Sequence, residues 1–417
     1  MHFQPCRRHN GFTKMELMEE IPRHLEDDEY AMYLRANGYD DIQSIHGVRH
    51  VLYMMPQQSL LPARHHGSSW VADRTIYHLD RRAADRPFLI WSSFIEPHPP
   101  FDVPEEWASL YEGRALPPVR ISQTPISALA EQNAGIAGYP ADRYLQRARE
   151  LYFASISFVD YNIGRIIARL KETDAYEDTL IIFTSDHGEM LGDCGTYQKF
   201  LPYDAAARIP FIVRYPAKLP AGSVDRRFVD INDILPTMLD AAGASYPDPG
   251  VLPGESIFIH GGKKDRTTQY TEYSHGSKRW VSLRDEQYKY NYYYGGGKEE
   301  LFDLIHDPYE TANLLFPAAP TEHLAAKETL RRRLIQVEKR QGLEGYIKND
   351  QFIILEDFHK WILRENNPPI FTKHESHPHL SLEDEVHKAI EKEPVVDIQQ
   401  LDLSFYKDKG YIDTELL

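Results

Sequence analysis

Apolar positions along the chain fall into three textures. Thr179-Leu-Ile-Ile-Phe-Thr184 is a continuous apolar, β-branched run, which predicts a strand buried on both faces of a mostly parallel sheet. Pro87-Phe-Leu-Ile-Trp-Ser-Ser-Phe94 repeats that texture and predicts a second buried strand. Helical spacing takes over between them. Asp142 to Glu172 places Leu145, Ala148, Tyr152, Val159, Ile163, Ile166 and Leu170 at intervals of three, four and seven, the stripe of a long amphipathic helix. Ser68 to Leu79 opens with a capping serine and repeats apolar residues at Val71, Ile76 and Leu79, so a shorter helix is expected there. Asn232 to Gly243 reads as a further helix ended by glycine. Strands alternating with helices predict an α/β fold with a doubly wound, mostly parallel central sheet flanked by helices.

The third texture begins after Gly243. Thr267 to Tyr273, Trp280 to Arg284 and Gln287 to Tyr294 are short aromatic-rich runs separated by turns, the pattern of a smaller C-terminal antiparallel sheet. Thr321 to Gln341 is a charged helix, and an acidic tail with a helical stretch near Leu382 to Lys392 follows it. The expected organisation is therefore an α/β domain over 1–246, the antiparallel sheet plus helix over 247–341, and a C-terminal extension over 342–417. Residues 13–67 are polar and irregular, with a short helix at Asp28 to Asn37, and 104–139 read as surface loops. No internal repeat is evident.

Composition narrows the partners. Lys+Arg 47 against Asp+Glu 63 gives a formal charge of −16, which disfavours nucleic acid and anionic membranes. A small anionic substrate has to be held by local cations. Two cysteines, Cys6 and Cys194, make no disulfide framework and favour a reducing, cytoplasmic setting. No apolar run reaches the length of a membrane span, and an oligomer is compatible with the whole composition.

Candidate chemistry follows the first strand at once. Asp186 and His187 stand at its C-terminal end, where open α/β sheets bind ligands, and an adjacent carboxylate and imidazole can share one divalent metal. Gly188 allows a sharp turn. Lys199 lies on the returning loop, placed to clamp an anion. His374, His377 and His379 form a cluster, but they lack the register of a zinc-binding helix and Pro378 interrupts them.

The run Ser185-Asp-His-Gly-Glu-Met-Leu-Gly-Asp193, with Lys199, Tyr203-Asp204, Arg208-Ile-Pro210 and Arg214-Tyr-Pro216 after it, resembles the second signature of the sulfatase family in the alkaline phosphatase superfamily. The likeness is to arylsulfatase and phosphonate monoester hydrolase-like members, and Glu300 to Leu314 resembles the family's C-terminal ending. The resemblance implies an alkaline-phosphatase-like fold with Asp186 and His187 as metal ligands and Lys199 on the sulfate or phosphate group. It makes His98, in Pro97-His98-Pro99, the histidine at the sulfuryl oxygens or leaving group, and His2 a contact of the nucleophile's hydroxyl. It also implies one divalent ion, calcium favoured with manganese, magnesium or zinc as alternatives, and a formylglycine nucleophile made from Cys or Ser in Cys/Ser-x-Pro-x-Arg.

That last pattern is missing. Ser59-Leu-Leu-Pro-Ala-Arg64 has one residue too many before Pro62, and neither Cys6 nor Cys194 has Pro and Arg at the needed offsets. Asp27-Asp28 and Asp40-Asp41 follow no apolar strand, so neither replaces the family's paired metal-binding aspartates. The expectation is a sulfate ester hydrolase whose nucleophile-bearing N-terminal segment is absent and which is impaired by itself. The alternatives are a phosphonate or phosphate ester hydrolase, and an incompetent member with a binding or vestigial role.

Overall fold

A computed structural model of the chain describes residues 9–20, 22, 25–42, 44–47, 56–126, 141–259, 266–317 and 321–356. They form two compact units, one from the described residues up to Pro117 together with 141–176, the other from 118–126 together with 177–356. The architecture is α/β, with a parallel strand pair and separate antiparallel sheets.

The first unit begins with helix α1, Glu29–Ala36. Asp28 caps it, accepting from Ala31 N at 2.7 Å, so half of the Asp27-Asp28 pair is a buried helix start. Tyr30, Ala31 and Leu34 turn inward against Ile42, Ile45, Leu61, Trp70 and Val71. Strand β1, Pro56–Gln58, runs parallel to β2, Phe101–Val103. Helix α2, Gly67–Asp80, is capped by His66 in place of the expected Ser68: Nδ1 of His66 accepts from Ser68 N, and Ser68 is buried in the first turn. A short helix α3, Glu105–Ala108, precedes α4, Ala141–Glu172. The buried stripe of α4 runs through Ala148, Leu151, Ala154, Phe158 and Val159, which leaves the expected Tyr152 and Ile163 at its margin. Arg165 to Asp73 and Arg169 to Asp80 tie α4 to α2.

Pro87 to Phe94 departs from expectation. It forms no strand, and Leu89 and Trp91 are 61% and 69% exposed. An apolar run is buried only where other elements cover both of its faces, and none among the described residues does so.

In the second unit, β3, Ile181–Thr184, pairs antiparallel with β4, Phe211–Arg214, with Phe183 opposite Ile212. This corrects the expectation of a buried parallel strand: opposed residues share a face, and Phe183 and Ile212 are both exposed. Between them lies a single helical turn, α5, Asp204–Ala207. Helix α6, Ile234–Ala241, follows a 3-10 turn whose cap, Asp230, makes a reciprocal box with Asp233. The chain then forms a four-stranded meander of β5, Gln269–Tyr273, β6, Trp280–Arg284, β7, Tyr288–Tyr293, and β8, Lys298–Asp303, in sequence order. Helix α7, Thr321–Gln341, packs on it, and Val281, Leu283, Tyr290, Tyr292, Leu301, Leu330, Leu334 and Ile335 share one core. A small hairpin, β9, Ile347–Lys348, with β10, Gln351–Phe352, adds Phe352 to that core. The histidine cluster at 374–379 and the helical stretch near 382–392 lie outside the described residues. No described helix is long and apolar enough to cross a membrane.

Candidate active site

Strand β3 delivers its last residue into a hydrogen-bonded turn. Thr184 Oγ1 donates to Pro210 O at 2.8 Å, and Ser185 Oγ donates to His187 O at 2.7 Å. Asp186 Oδ1 accepts from His187 N at 2.9 Å, while the side chain reaches into solvent. His187 Nδ1 lies 2.8 Å from Gly188 O, which can only accept, so Nδ1 carries the proton and Nε2 the lone pair of the neutral ring. Nε2 is 3.5 Å from Asp186 Oδ2. A cation bound at about 2.0–2.1 Å by imidazole nitrogen and about 2.0–2.6 Å by carboxylate oxygen can touch both atoms across that gap. The pair fits as two ligands of a divalent ion. No third His, Cys, Asp or Glu joins them among the described residues.

Gly188 serves here for a reason other than turning. A Cβ on it would lie 2.1 Å from Ala205 O, and its N–H donates to Ala206 O at 2.7 Å. The backbone behind the Asp-His pair is pressed against α5, where no side chain fits.

The next residue, Glu189, is half-buried, and one of its oxygens closes the loop that leads to Lys199. Oε1 accepts from Leu191 N at 3.1 Å and from Gln198 N at 2.5 Å. Burial pushes its carboxyl up to about 7, against the opposing pull of these two N–H groups and of the Lys199 charge. Inside the loop, Met190 N donates to Gln198 O and Gly192 N to Thr196 O, while Leu191, Cys194 and Gln198 take positive φ. Cys194 is buried and its thiol is pushed up to about 12, first by burial and then by Asp193 and other carboxylates, so it stays protonated and inert. Met190, Leu201 and Tyr203 anchor the loop on Trp280, Tyr293 and Phe302 of the meander. Lys199 Nζ sits 5.7 Å from the Phe200 ring centroid, and Phe200 in turn packs on Tyr273.

His98 belongs to the first unit. It lies in the turn after Phe94, between the cis bonds Glu96–Pro97 and Pro99–Pro100. Its Nδ1 is 2.6 Å from Pro99 O and 3.1 Å from Glu20 Oε1, and Glu96 is held by Ser68 Oγ at 2.5 Å. Asp186, His187 and Lys199 thus share one unit and one loop system, and His98 sits in the other. His2 and Cys6 lie outside the described residues. Sequence reasoning missed Glu20 and Glu189; only the position of Glu189 inside the Asp-His-Gly-Glu run pointed to it.

The sulfatase family model matches residues 20–244, more than half of the chain. The chain belongs to the sulfatase family. A second model, N-sulphoglucosamine sulphohydrolase, C-terminal, matches residues 192–340, from within the loop before Lys199 through the meander. The chain is similar to an arylsulfatase of Clostridium perfringens, 30% identical over 304 residues, covering 69% of this chain and 61% of that protein. It is also similar to a choline-sulfatase of Rhizobium meliloti, 31% identical over 262 residues, covering 59% of this chain and 50% of that one. The chain therefore spans about half to three-fifths of the length of these relatives. A phosphonate monoester hydrolase from Silicibacter pomeroyi shares the fold, with TM-score 0.65 at 23% identity over 79% of this chain and 72% of that one. Metal binding is general to the sulfatase family.

Proposed function

We propose that this chain carries the metal-binding and anion-binding part of a sulfate ester hydrolase. One observation carries the reading: Asp186 Oδ2 and His187 Nε2 lie 3.5 Å apart at the end of β3, on the loop system that leads to Lys199, all inside the span that the family model matches. In this reading Asp186 and His187 hold a divalent ion, which when bound polarises the ester and takes up negative charge. Lys199 supplies a point charge to an ester oxygen. His98 gives a proton to the departing oxygen, and His2 contacts the nucleophile's hydroxyl. No residue of the sequence fits the formylglycine pattern, and Cys194 is too inert to replace it, so the nucleophile comes from outside these 417 residues.

A phosphonate or phosphate ester is the second substrate reading. His187 favours it, because imidazole admits manganese or zinc beside calcium. The deciding experiment incubates the purified chain with calcium, manganese or zinc, measures metal binding by calorimetry, and assays 4-nitrophenyl sulfate against a phenylphosphonate ester. The expected result is weak metal binding that Asp186→Asn abolishes, with turnover near background. Turnover of the sulfate at ordinary enzymatic rates would place the nucleophile inside the chain. Preference for the phosphonate would replace the sulfatase reading, and metal binding indifferent to Asp186→Asn would remove the site.

A further inference from the structure

Residues 16–20 pass in front of α1 and α2 and are pinned at nearly every position. Glu16 accepts from Arg74 at 2.5 and 2.7 Å and lies 2.9 Å from His78 Nε2, both on α2. Leu17 N donates to Glu29 Oε2 at 2.7 Å, and Glu19 N donates to the cap residue Asp28 at 2.6 Å. Two helices therefore set where Glu20 stands. It stands beside His98, with Oε1 3.1 Å from Nδ1, and the two side chains are only 15% and 12% exposed.

Pro99 O decides the protonation of the ring. It lies 2.6 Å from the same Nδ1 and, being a carbonyl, can only accept. Nδ1 therefore carries a proton whatever the state of Glu20, and the atom of His98 that gains or loses one is Nε2. A carboxylate at ion-pair distance in a half-excluded setting favours the imidazolium over the neutral ring. Other charged groups around this turn are engaged elsewhere. Glu96 is held by Ser68 and stands 3.9 Å from His66 Nδ1, Asp102 is buried on β2, and Arg74 and His78 both face Glu16.

We propose that Glu20 is a positioning residue for His98: its carboxylate holds the ring at Nδ1, beside Pro99 O, and keeps Nε2 charged as a proton donor near neutral pH. This rests on the reading of His98 as the leaving-group histidine. As the ester S–O bond breaks, its electron pair stays on the departing oxygen, the Nε2 proton moves to that oxygen, and His98 is left neutral until solvent reprotonates it. The nearest approach to this pair from sequence was the Pro-His-Pro turn, which says nothing of Glu20.

The test needs no turnover. Nitrogen-15 NMR on the full chain, with the His98 signal assigned by its loss in His98→Gln, reads tautomer and midpoint together. The expected result is an Nδ1–H tautomer in the wild type and a midpoint lower by about one pH unit in Glu20→Gln. An Nε2–H tautomer, or a midpoint that Glu20→Gln leaves in place, overturns the proposal. Should Glu20→Gln fail to fold, Glu20→Asp, whose carboxylate stands farther from Nδ1, should lower the midpoint by less, and a midpoint that it leaves in place overturns the proposal as well. Where the sulfate ester is turned over, the alkaline limb of the pH profile moves down with the NMR midpoint in Glu20→Gln. Turnover that survives His98→Gln would instead sink the leaving-group reading and leave the pair to be judged by NMR alone.

Discussion

The meander with α7 and the β3–β4 pair lie in the same unit and are built in opposite ways. Strands β6 to β8 bury most of their side chains, and α7 closes the core with Leu330, Leu334 and Ile335. Arg279 and Glu338, both deeply buried, pair with each other, Arg279 also reaches Glu272, and Glu338 also accepts from Tyr270 and Tyr294. The β3–β4 pair carries the candidate chemistry, yet it leaves Phe183 and Ile212 in solvent. Its turn and loop are held instead by polar closure at Glu189, by the Gly188 contact with α5, and by the Met190 to Tyr203 anchors on the meander. A region that supports itself can thus lend order to one that does not.

The largest effect should come from opening the self-supporting region. Glu338→Ala takes the acceptor from the Tyr294 hydroxyl and leaves Arg279 and Tyr270 only the more exposed Glu272, and breaking a buried pair this way costs about 3–5 kcal/mol. Denaturant unfolding followed by Trp280 fluorescence should show that loss. A change below about 1 kcal/mol would mean that the meander is not the independent element. Glu189→Ala comes next, because two partly buried N–H groups lose their acceptor, at about 1 kcal/mol each. Hydrogen exchange at Leu191 and Gln198 should accelerate while the meander amides stay protected. Glu189→Gln keeps the accepting oxygen and should restore most of the protection; if it exchanges as fast as the alanine variant, the clamp is not what holds the loop.

In the first unit the corresponding support is Asp28. Burial, the largest influence, raises its carboxyl from 3.8 to about 6, despite the two N–H groups it accepts from. The folded state therefore holds a proton that the unfolded chain has released, so this contribution is complete below about pH 4 and is lost as pH rises through 6. Asp28→Asn should flatten the fall in melting temperature across that window, by on the order of 1–3 kcal/mol in all. An unchanged slope would show that Asp28 is ionised when folded.

Helical period made α4 and α7 legible almost to the residue, and aromatic runs between turns marked three of the four meander strands. Both signals are local. What escaped is not local. The β3 run was expected to be buried because apolar residues fill both of its faces, but burial depends on what covers them, and that is not written in the run itself. Gly188 was read as a turn, whereas the approach of Ala205 O from a distant segment excludes a side chain there. Asp186, His187 and Lys199 could be proposed from the sequence because one motif carries all three. Glu20 and Glu189 could not, since a carboxylate is assigned to its partner only when the fold brings the two together.

The smallest expected effect tests the exposed side of the comparison. Leu89→Ser, Trp91→Ser and Ile212→Thr replace side chains that are 61%, 69% and 63% exposed. Substitutions at such positions stay within about 0.5 kcal/mol of the parent. Fully burying a leucine or isoleucine contributes about 1.5–3 kcal/mol, so a loss of that size at any of the three would mean that the face is covered in solution. The pattern of losses then discriminates. A loss at Ile212 alone would assign the cover to the β3–β4 face, and a loss at Leu89 and Trp91 alone would assign it to the apolar run before His98. With all three neutral, the chemistry-bearing strands stand as they are seen, ordered by their loops and by the meander, and the apolar runs that looked most like core are surface.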